Sequence, residues 1–158
     1  MSGLLITAGP GFPATAVLPG SAVTTAFGVD ASVSLAQQPS VFPLDRPVLD
    51  GDAVHLLRGS AWGPDGVPPN DAAAERLVRA MGRQLLTDGH LFPDGHRWSG
   101  LFTLCSVTAD AVLVASDPSG LYPLYLWAQP GRVAVSSNES VLARAVAGDA
   151  ELRGVVQT

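Results

Sequence analysis

The chain has 158 residues, of which 47% are hydrophobic, so it can bury one core of the size typical of a single domain. Its formal net charge is -5 and its basic residues are all arginines that occur singly, which argues against nucleic acid or an anionic membrane as a partner. No apolar stretch approaches the roughly 18 to 20 residues of a bilayer span, and the first residues lack a signal-peptide pattern. We therefore expect a cytoplasmic protein.

Cysteine and histidine usage predicts no metal site. The single cysteine, Cys105, excludes an internal disulfide and a cysteine-based zinc site, and its apolar neighbours predict a buried, inert thiol. His90 and His96 follow Asp88 and Asp94 closely, and imidazole and carboxylate are common zinc ligands. However, the glycines and the proline among them are typical of a surface turn, which is the interpretation we favour.

The first half of the chain predicts short strands joined by loops. Residues 1 to 50 are rich in Gly, Pro, Ala, Ser and Thr, and only brief apolar pieces interrupt them. These pieces and one further buried strand are Leu4–Ile6, Ala14–Leu18, Val23–Val29 and Val54–Leu57. The prolines and glycines of Gly63–Pro69 predict a loop after that last strand.

A helix is predicted from Ala72 to about Leu86, with Asn70 or Asp71 as its N-cap. Apolar and polar positions separate at helical spacing along this segment. The side chains expected to face the core are Leu77, Met81, Gln84 and Leu85, and those expected to face solvent are Arg76, Arg79 and Arg83.

The second half predicts a sheet followed by a helix. Four apolar runs, bounded by Asp, Pro, Gly and Ser, are typical of successive antiparallel strands. They are Leu101–Val107, Ala111–Ser116, Leu121–Trp127 and Val133–Ser136. A second helix begins after Ser137 or Asn138 as its cap and reaches about Val146, with Glu139 favourably placed in its first turn. Strands and helices in this order predict an α+β layered domain.

Three segments of this half resemble a known family. They are Gly100-Leu101-Phe102, then Asp117-Pro118-Ser119-Gly120-Leu121-Tyr122-Pro123-Leu124-Tyr125, then Val133-Ala134-Val135-Ser136-Ser137-Asn138-Glu139. In this order and spacing they resemble the amino-terminal half of the asparagine synthetase family, a class II glutamine amidotransferase domain. The resemblance implies an Ntn-hydrolase-like (N-terminal nucleophile) fold, a layered αββα domain with antiparallel sheets. We expect residues 1–158 to form a single such domain.

The resemblance also implies that the glutaminase site is degenerate at its nucleophile. The family uses a cysteine, exposed by removal of the start methionine, whose α-amine serves as general base. Here Ser2 stands at that position, and a serine hydroxyl is a weaker nucleophile than a thiol at neutral pH. We interpret Ser2 as an ordinary residue; the alternative is a serine Ntn amidohydrolase that uses Ser2.

Two further positions of the family's site are changed or ambiguous. The family's strand end supplies an asparagine side chain and a glycine amide to the oxyanion hole; here Arg58 replaces the asparagine and Gly59 remains. Loss of one oxyanion donor typically costs about 100- to 1000-fold in rate. Asp71 matches the family's aspartate that binds the substrate amine, although a helix N-cap explains it equally well.

The resemblance therefore implies a glutaminase-inactive domain. Relatives with a decayed glutaminase site, such as β-lactam synthetases and lasso-peptide cyclases, form amide bonds with ATP in natural-product biosynthesis. We expect this chain to be the structural or substrate-docking half of such an enzyme, with no cofactor of its own, because ATP and Mg belong to a synthetase domain. The family's last strands would lie beyond Thr158, so a truncated domain is expected to associate with itself or with a synthetase domain or subunit. The alternative is a stand-alone interaction scaffold.

Overall fold

The computed structural model describes residues 3–12, 23–28, 32–38, 46–65, 71–91, 98–146 and 156–157. In chain order the elements are β1 (Leu4–Ala8), β2 (Val23–Phe27), β3 (Val33–Gln37), β4 (Val48–Asp50), β5 (Ala53–Trp62), α1 (Asp71–Asp88), β6 (Ser99–Val107), β7 (Val112–Ser116), β8 (Tyr125–Gln129), β9 (Arg132–Ser136), α2 (Glu139–Ala145) and β10 (Val156–Gln157). The strands form two sheets in which every pairing is antiparallel. The α+β class predicted from the sequence is confirmed.

The chain divides into two compact units. Unit 1 consists of Met1–Pro39 and Pro123–Thr158, and unit 2 is the continuous segment Ser40–Tyr122 between them. Each unit contains one sheet and one helix among its described residues. Unit 2 is therefore inserted, in sequence, between the two parts of unit 1.

Unit 1 is a six-stranded sheet with strand order β10-β8-β9-β1-β3-β2. Its central strand, β1, reads as a continuous apolar run, and Leu4, Leu5 and Ile6 are all buried. Such a run is typical of a strand that is buried on both faces. Because β1 pairs with both β3 and β9, the first strand of the chain holds the two parts of unit 1 together.

Helix α2 packs on the sheet of unit 1. The side chain of its N-cap, Asn138, accepts a hydrogen bond from the backbone N–H of Val141 at 3.1 Å, which satisfies one of the helix's free donors. Glu139 lies in the first turn, where the helix dipole favours an acidic side chain. The buried face of the helix contains Val141, Leu142 and Ala145.

Unit 2 is a four-stranded sheet with strand order β4-β5-β6-β7, and α1 packs across one of its faces. The apolar positions of α1 recur at helical spacing and meet alternate positions of β5 and β6. The buried residues of this core are Val48, Leu57, Ala61, Ala74, Val78, Met81, Leu85, Leu91, Trp98, Phe102 and Leu104.

The described elements agree with most of the sequence predictions. Helix α1 begins at Asp71 and extends two residues beyond the predicted Leu86, with Met81 and Leu85 buried as expected. Helix α2 has the predicted cap and ends one residue early. The predicted strand Ala14–Leu18 lies outside the described residues, and residues 63–65 of the predicted loop carry no helix or strand.

The prediction that four successive runs are neighbouring strands is wrong at one step. β6 pairs with β7 and β8 pairs with β9, but these two hairpins belong to different sheets. The break occurs because the run Leu121–Trp127 contains Pro123, which has no N–H to donate to a ladder. Strand β8 begins only at Tyr125, and Leu121 is 58% exposed.

Candidate functional site

Ser2, which stands at the family's nucleophile position, lies outside the described residues, but the start of β1 beside it is described. The backbone N–H of Leu4 donates to Ser137 Oγ at 2.9 Å, and Ser136 Oγ donates to the carbonyl of Leu4 at 3.0 Å. These serines therefore fix the end of β1 against the end of β9. They are the two serines of the third segment on which the family resemblance rests.

Arg58 lies in the middle of β5 and is almost completely buried, with 8% of its surface exposed. It stands opposite Thr103 of β6, whose hydroxyl donates to the carbonyl of Tyr122. The guanidinium carbon lies 5.2 Å from the centre of the Tyr122 ring, a distance at which the cation is attracted to the ring face. The position predicted for an oxyanion donor thus holds a guanidinium packed against an aromatic ring.

Gly59 follows Arg58 in β5 and has a structural role of its own. Its φ of 102° lies in the region that favours glycine. A Cβ at this position would overlap the carbonyl oxygen of Leu101 on β6 and crowd the Tyr122 ring. A glycine is therefore required for β5 and β6 to approach each other here.

Asp71 is the first residue of α1. It therefore lies one position after an N-cap, which differs from the N-cap interpretation of Asp71, and its role in binding a substrate amine stays a prediction. Of the predicted site residues, Arg58 and Gly59 are consecutive on β5, and Ser2 lies outside the described residues.

The structure contains a buried polar cluster that the sequence analysis did not single out. In this His55 cluster, His55 Nδ1 lies 2.8 Å from Ser106 Oγ, and His55 Nε2 lies 3.2 Å from Asp50 Oδ2. Asp50 in turn accepts two hydrogen bonds from Arg83 of α1, at 2.7 and 2.8 Å. Arg79 of α1 also lies near Asp50, at 3.7 Å.

Three strands and a helix bring the His55 cluster together. Asp50 ends β4 and His55 lies early in β5, on either side of the tight turn at Gly51. Ser106 is directly opposite His55 on β6. Gly82 of α1 covers the imidazole, since a Cβ on Gly82 would overlap atoms of the His55 ring.

The order Ser106, His55, Asp50 matches the hydroxyl, imidazole and carboxylate of a hydrolytic triad. The surroundings exclude that function in this conformation. His55 and Ser106 are completely buried, and the carbonyl of Gly82 lies 3.5 Å from Ser106 Oγ, so no substrate can reach the hydroxyl. The cluster joins α1 to the sheet and has no open face for catalysis.

The charges of the cluster follow from these contacts. The hydrogen bonds from Arg83 are the largest cause that lowers the pKa of Asp50 to about 2, with His55 adding to the effect and burial opposing it. Burial lowers the pKa of His55, and the positive charges of Arg79 and Arg83 act in the same direction. The Asp50 hydrogen bond opposes that shift without cancelling it. At neutral pH the cluster therefore contains an ionised Asp50 and an uncharged His55.

The turn in the second segment of the family resemblance is built around a buried carboxylate. Asp117 accepts hydrogen bonds from the backbone N–H of Phe102 at 2.8 Å and of Ser119 at 2.9 Å, and from the Ser119 hydroxyl. Burial opposes ionisation of Asp117, but these hydrogen bonds outweigh it and lower the pKa. Asp117 therefore fastens the end of β7 to β6.

Metal and thiol chemistry find no support among the described residues. No group of three or more His, Cys, Asp or Glu side chains in this part of the chain is arranged to hold an ion, although His96 and Asp94 fall outside it. Cys105 is buried in β6, and burial raises the pKa of its thiol to about 12, as the apolar neighbours predict. Neither described helix is both long and apolar enough to cross a bilayer.

Comparison with known protein families and with curated proteins finds no match to this chain.

The sequence signal for the His55 cluster was present but ambiguous. Asp50-Gly51-Asp52 between apolar residues is typical of a hairpin turn, and a hairpin there places Asp50 close to the start of β5. The pairing of His55 with Ser106 depends on the register of β5 against β6, across α1 and the segment that follows it. That register is not legible in the sequence.

Proposed function

We propose that this chain is a glutaminase-inactive, amidotransferase-like domain of Ntn type. It serves as the structural or substrate-docking half of an asparagine synthetase-like enzyme that forms amide bonds with ATP in the cytoplasm. A synthetase domain or subunit supplies ATP and Mg. The observation that carries this proposal is the burial of the Arg58 side chain in β5 and its packing on the Tyr122 ring.

A glutaminase of this family needs a hydrogen-bond donor at the strand end, aimed at the oxygen that becomes negative in the transition state. In this chain the corresponding side chain is a guanidinium, buried in β5 and packed on the Tyr122 ring. A guanidinium also donates hydrogen bonds, but we infer that its packing on Tyr122 holds it away from the place of the asparagine amide, a donor worth about 100- to 1000-fold in rate. Serine in place of the cysteine nucleophile lowers the rate further.

The three segments of the resemblance have structural roles that support the same proposal. The Gly100 segment begins β6, the Asp117 segment forms the hydrogen-bonded turn after β7, and the Val133 segment forms β9 and the cap of α2. These are parts of the framework of the domain. A scaffold derived from a glutaminase is expected to keep the residues that build the fold and to lose the residues that carry out catalysis.

The first experiment measures ammonia released from glutamine by the purified protein, beside a Ser2→Ala variant. We expect no release above the buffer background from either protein, because the nucleophile and one oxyanion donor have both been replaced. Turnover by the unaltered protein that disappears in Ser2→Ala would contradict the proposal and would identify a serine Ntn amidohydrolase.

The second experiment tests the synthetase partnership. The chain is combined with the synthetase domain or subunit encoded with it, and ATP-dependent release of pyrophosphate is measured in the presence of the carboxylate substrate. We expect the chain to increase the rate without any requirement for glutamine. A synthetase that is equally active without the chain and does not bind it would contradict this part of the proposal.

A further inference from the structure

The His55 cluster is more elaborate than packing alone requires. A histidine on the helix-facing side of a sheet needs only its two ring nitrogens satisfied, which Ser106 and Asp50 do. Here the same carboxylate also binds Arg83 through both of its oxygens. The imidazole is thereby connected, through Asp50, to the exposed side of α1.

The neutral ring has one tautomer that satisfies all of these contacts. Asp50 is ionised and can only accept, so the proton of neutral His55 resides on Nε2 and is donated to Asp50. Nδ1 is then an acceptor, and the Ser106 hydroxyl donates to it across 2.8 Å. In this state His55 is uncharged and both of its nitrogens are paired.

A second ring proton changes the arrangement in two ways. Nδ1 becomes a donor, so Ser106 Oγ must accept from it and turn its own proton toward the carbonyl of Gly82, which lies 3.5 Å away. The ring also gains a positive charge next to a carboxylate that Arg83 already occupies. His55 Nε2 and Arg83 donate to Oδ2 of Asp50 in both states, so the added charge gains no new partner there.

Each element that packs against the ring contributes charged or polar groups. β4 contributes Asp50, α1 contributes Arg79 and Arg83, and β6 contributes the uncharged Ser106 hydroxyl opposite the ring. Glu75 of α1 is bound to Arg79 at 3.2 Å on the exposed side. One ionised carboxylate therefore faces two arginines, and a third positive charge in this buried position is unfavourable.

We propose that His55 is a pH-sensitive switch that controls how firmly α1 packs on the sheet of unit 2. While the ring is neutral, the cluster joins α1, β4, β5 and β6 through a fully satisfied set of hydrogen bonds. When the ring is protonated, the hydrogen bond to Ser106 reverses and a positive charge is buried beside Arg79 and Arg83, so α1 is held less firmly. The inference is independent of any glutaminase or synthetase activity.

The direction of the pH dependence follows from the burial of the ring. The pKa of His55 is about 6.5 in an unfolded chain and lower than this in the folded protein, chiefly because of burial. The unfolded state therefore binds more protons below pH ~6.5. The stabilisation is complete above that pH and is lost as the pH falls toward the folded pKa.

The test is the pH dependence of unfolding by urea between pH 8 and pH 5, in which Asp50 stays ionised. Three proteins are compared: the unaltered chain, His55→Gln and His90→Gln. Glutamine keeps a donor for Asp50 but cannot titrate, and His90 is an exposed histidine just after α1. For the unaltered chain and His90→Gln, we expect the folding equilibrium constant to fall below pH ~6.5 by up to about tenfold per pH unit, the slope of one proton. His55→Gln should lack that one-proton component. Parallel profiles for His55→Gln and the unaltered chain would overturn the proposal.

If the His55→Gln variant does not fold, a second measurement on the unaltered protein still tests the proposal. The ring protons of His55 are followed by NMR during a pH titration, and hydrogen exchange of α1 is measured at pH 7.5 and pH 5 with correction for intrinsic rates. We expect a midpoint below 6.5 and a loss of protection in α1 that accompanies protonation. A midpoint at or above 6.5, or unchanged protection in α1, would contradict the switch.

Discussion

At the residue scale, Gly82 of α1 lies directly against the imidazole of His55. Glycine in a helix interior is normally unfavourable by about 1 kcal/mol relative to alanine. Here it is required, because a Cβ on Gly82 would overlap the imidazole of His55. Helix propensity favours alanine at this position, but there is no space for its methyl group.

We predict that Gly82→Ala lowers the free energy of unfolding by about 1–3 kcal/mol, the usual cost of overpacking a core. Urea denaturation at pH 7.5 measures the change. The control is the same substitution in a His55→Ala background, where the ring is absent. There Gly82→Ala should be neutral or stabilising by up to about 1 kcal/mol, from helix propensity alone. An equal loss in both backgrounds would show that the ring is not the cause.

Individual residues could be predicted from the sequence where local context decides their environment. Cys105 lies in an apolar run, and its burial is confirmed. Asn138 precedes an amphipathic segment, and its capping role is confirmed. The environment of His55 could not be predicted, because Asp50, Gly82 and Ser106 meet it only through a hairpin, a helix position and a strand register. The hairpin has a local signal in Asp50-Gly51-Asp52, but neighbouring residues alone do not fix the helix position or the strand register.

At the scale of elements, the two helices were more predictable than the arrangement of the strands. Helical spacing is a local signal, and both helices lie within two residues of their predicted ends. Strand pairing is non-local: Ile6 of β1 lies opposite Val135 of β9. The division of the strands between two sheets depends on such pairings. It also depends on Pro123, which interrupts the apolar run so that β8 begins only at Tyr125.

Helix α2 depends on its cap because it is short. It spans only Glu139–Ala145, and helices of this length are not stable without tertiary packing and capping. We predict that Asn138→Ala lowers the free energy of unfolding by about 1 kcal/mol, since it removes the acceptor for the Val141 N–H. Urea denaturation measures this loss. Asn138→Asp, which retains an acceptor, is the matched control, and an equal loss in both variants would contradict a capping role.

At the scale of the whole molecule, the chain topology makes the two units unequal. Unit 2 is continuous in sequence, whereas unit 1 needs strands from both sides of Ser40–Tyr122. A folded unit 2 restricts the chain between the two parts of unit 1, so β1 can pair with β9 without closing a fully flexible loop. When unit 2 is unfolded, the same pairing must close that loop, at an entropic cost on the order of 4 kcal/mol.

This asymmetry predicts how a local destabilisation spreads. Gly82→Ala, in unit 2, should reduce hydrogen-exchange protection in β5 and β6 and also in β1 and β9, because unit 1 then bears the cost of loop closure. Asn138→Ala, in unit 1, should reduce protection in β1 and β9 while β5 and β6 remain protected. Exchange followed by mass spectrometry in mild urea measures both variants against the unaltered chain. Protection of β1 and β9 that is unchanged in Gly82→Ala, while β5 and β6 are exposed, would show that unit 1 closes without help from unit 2.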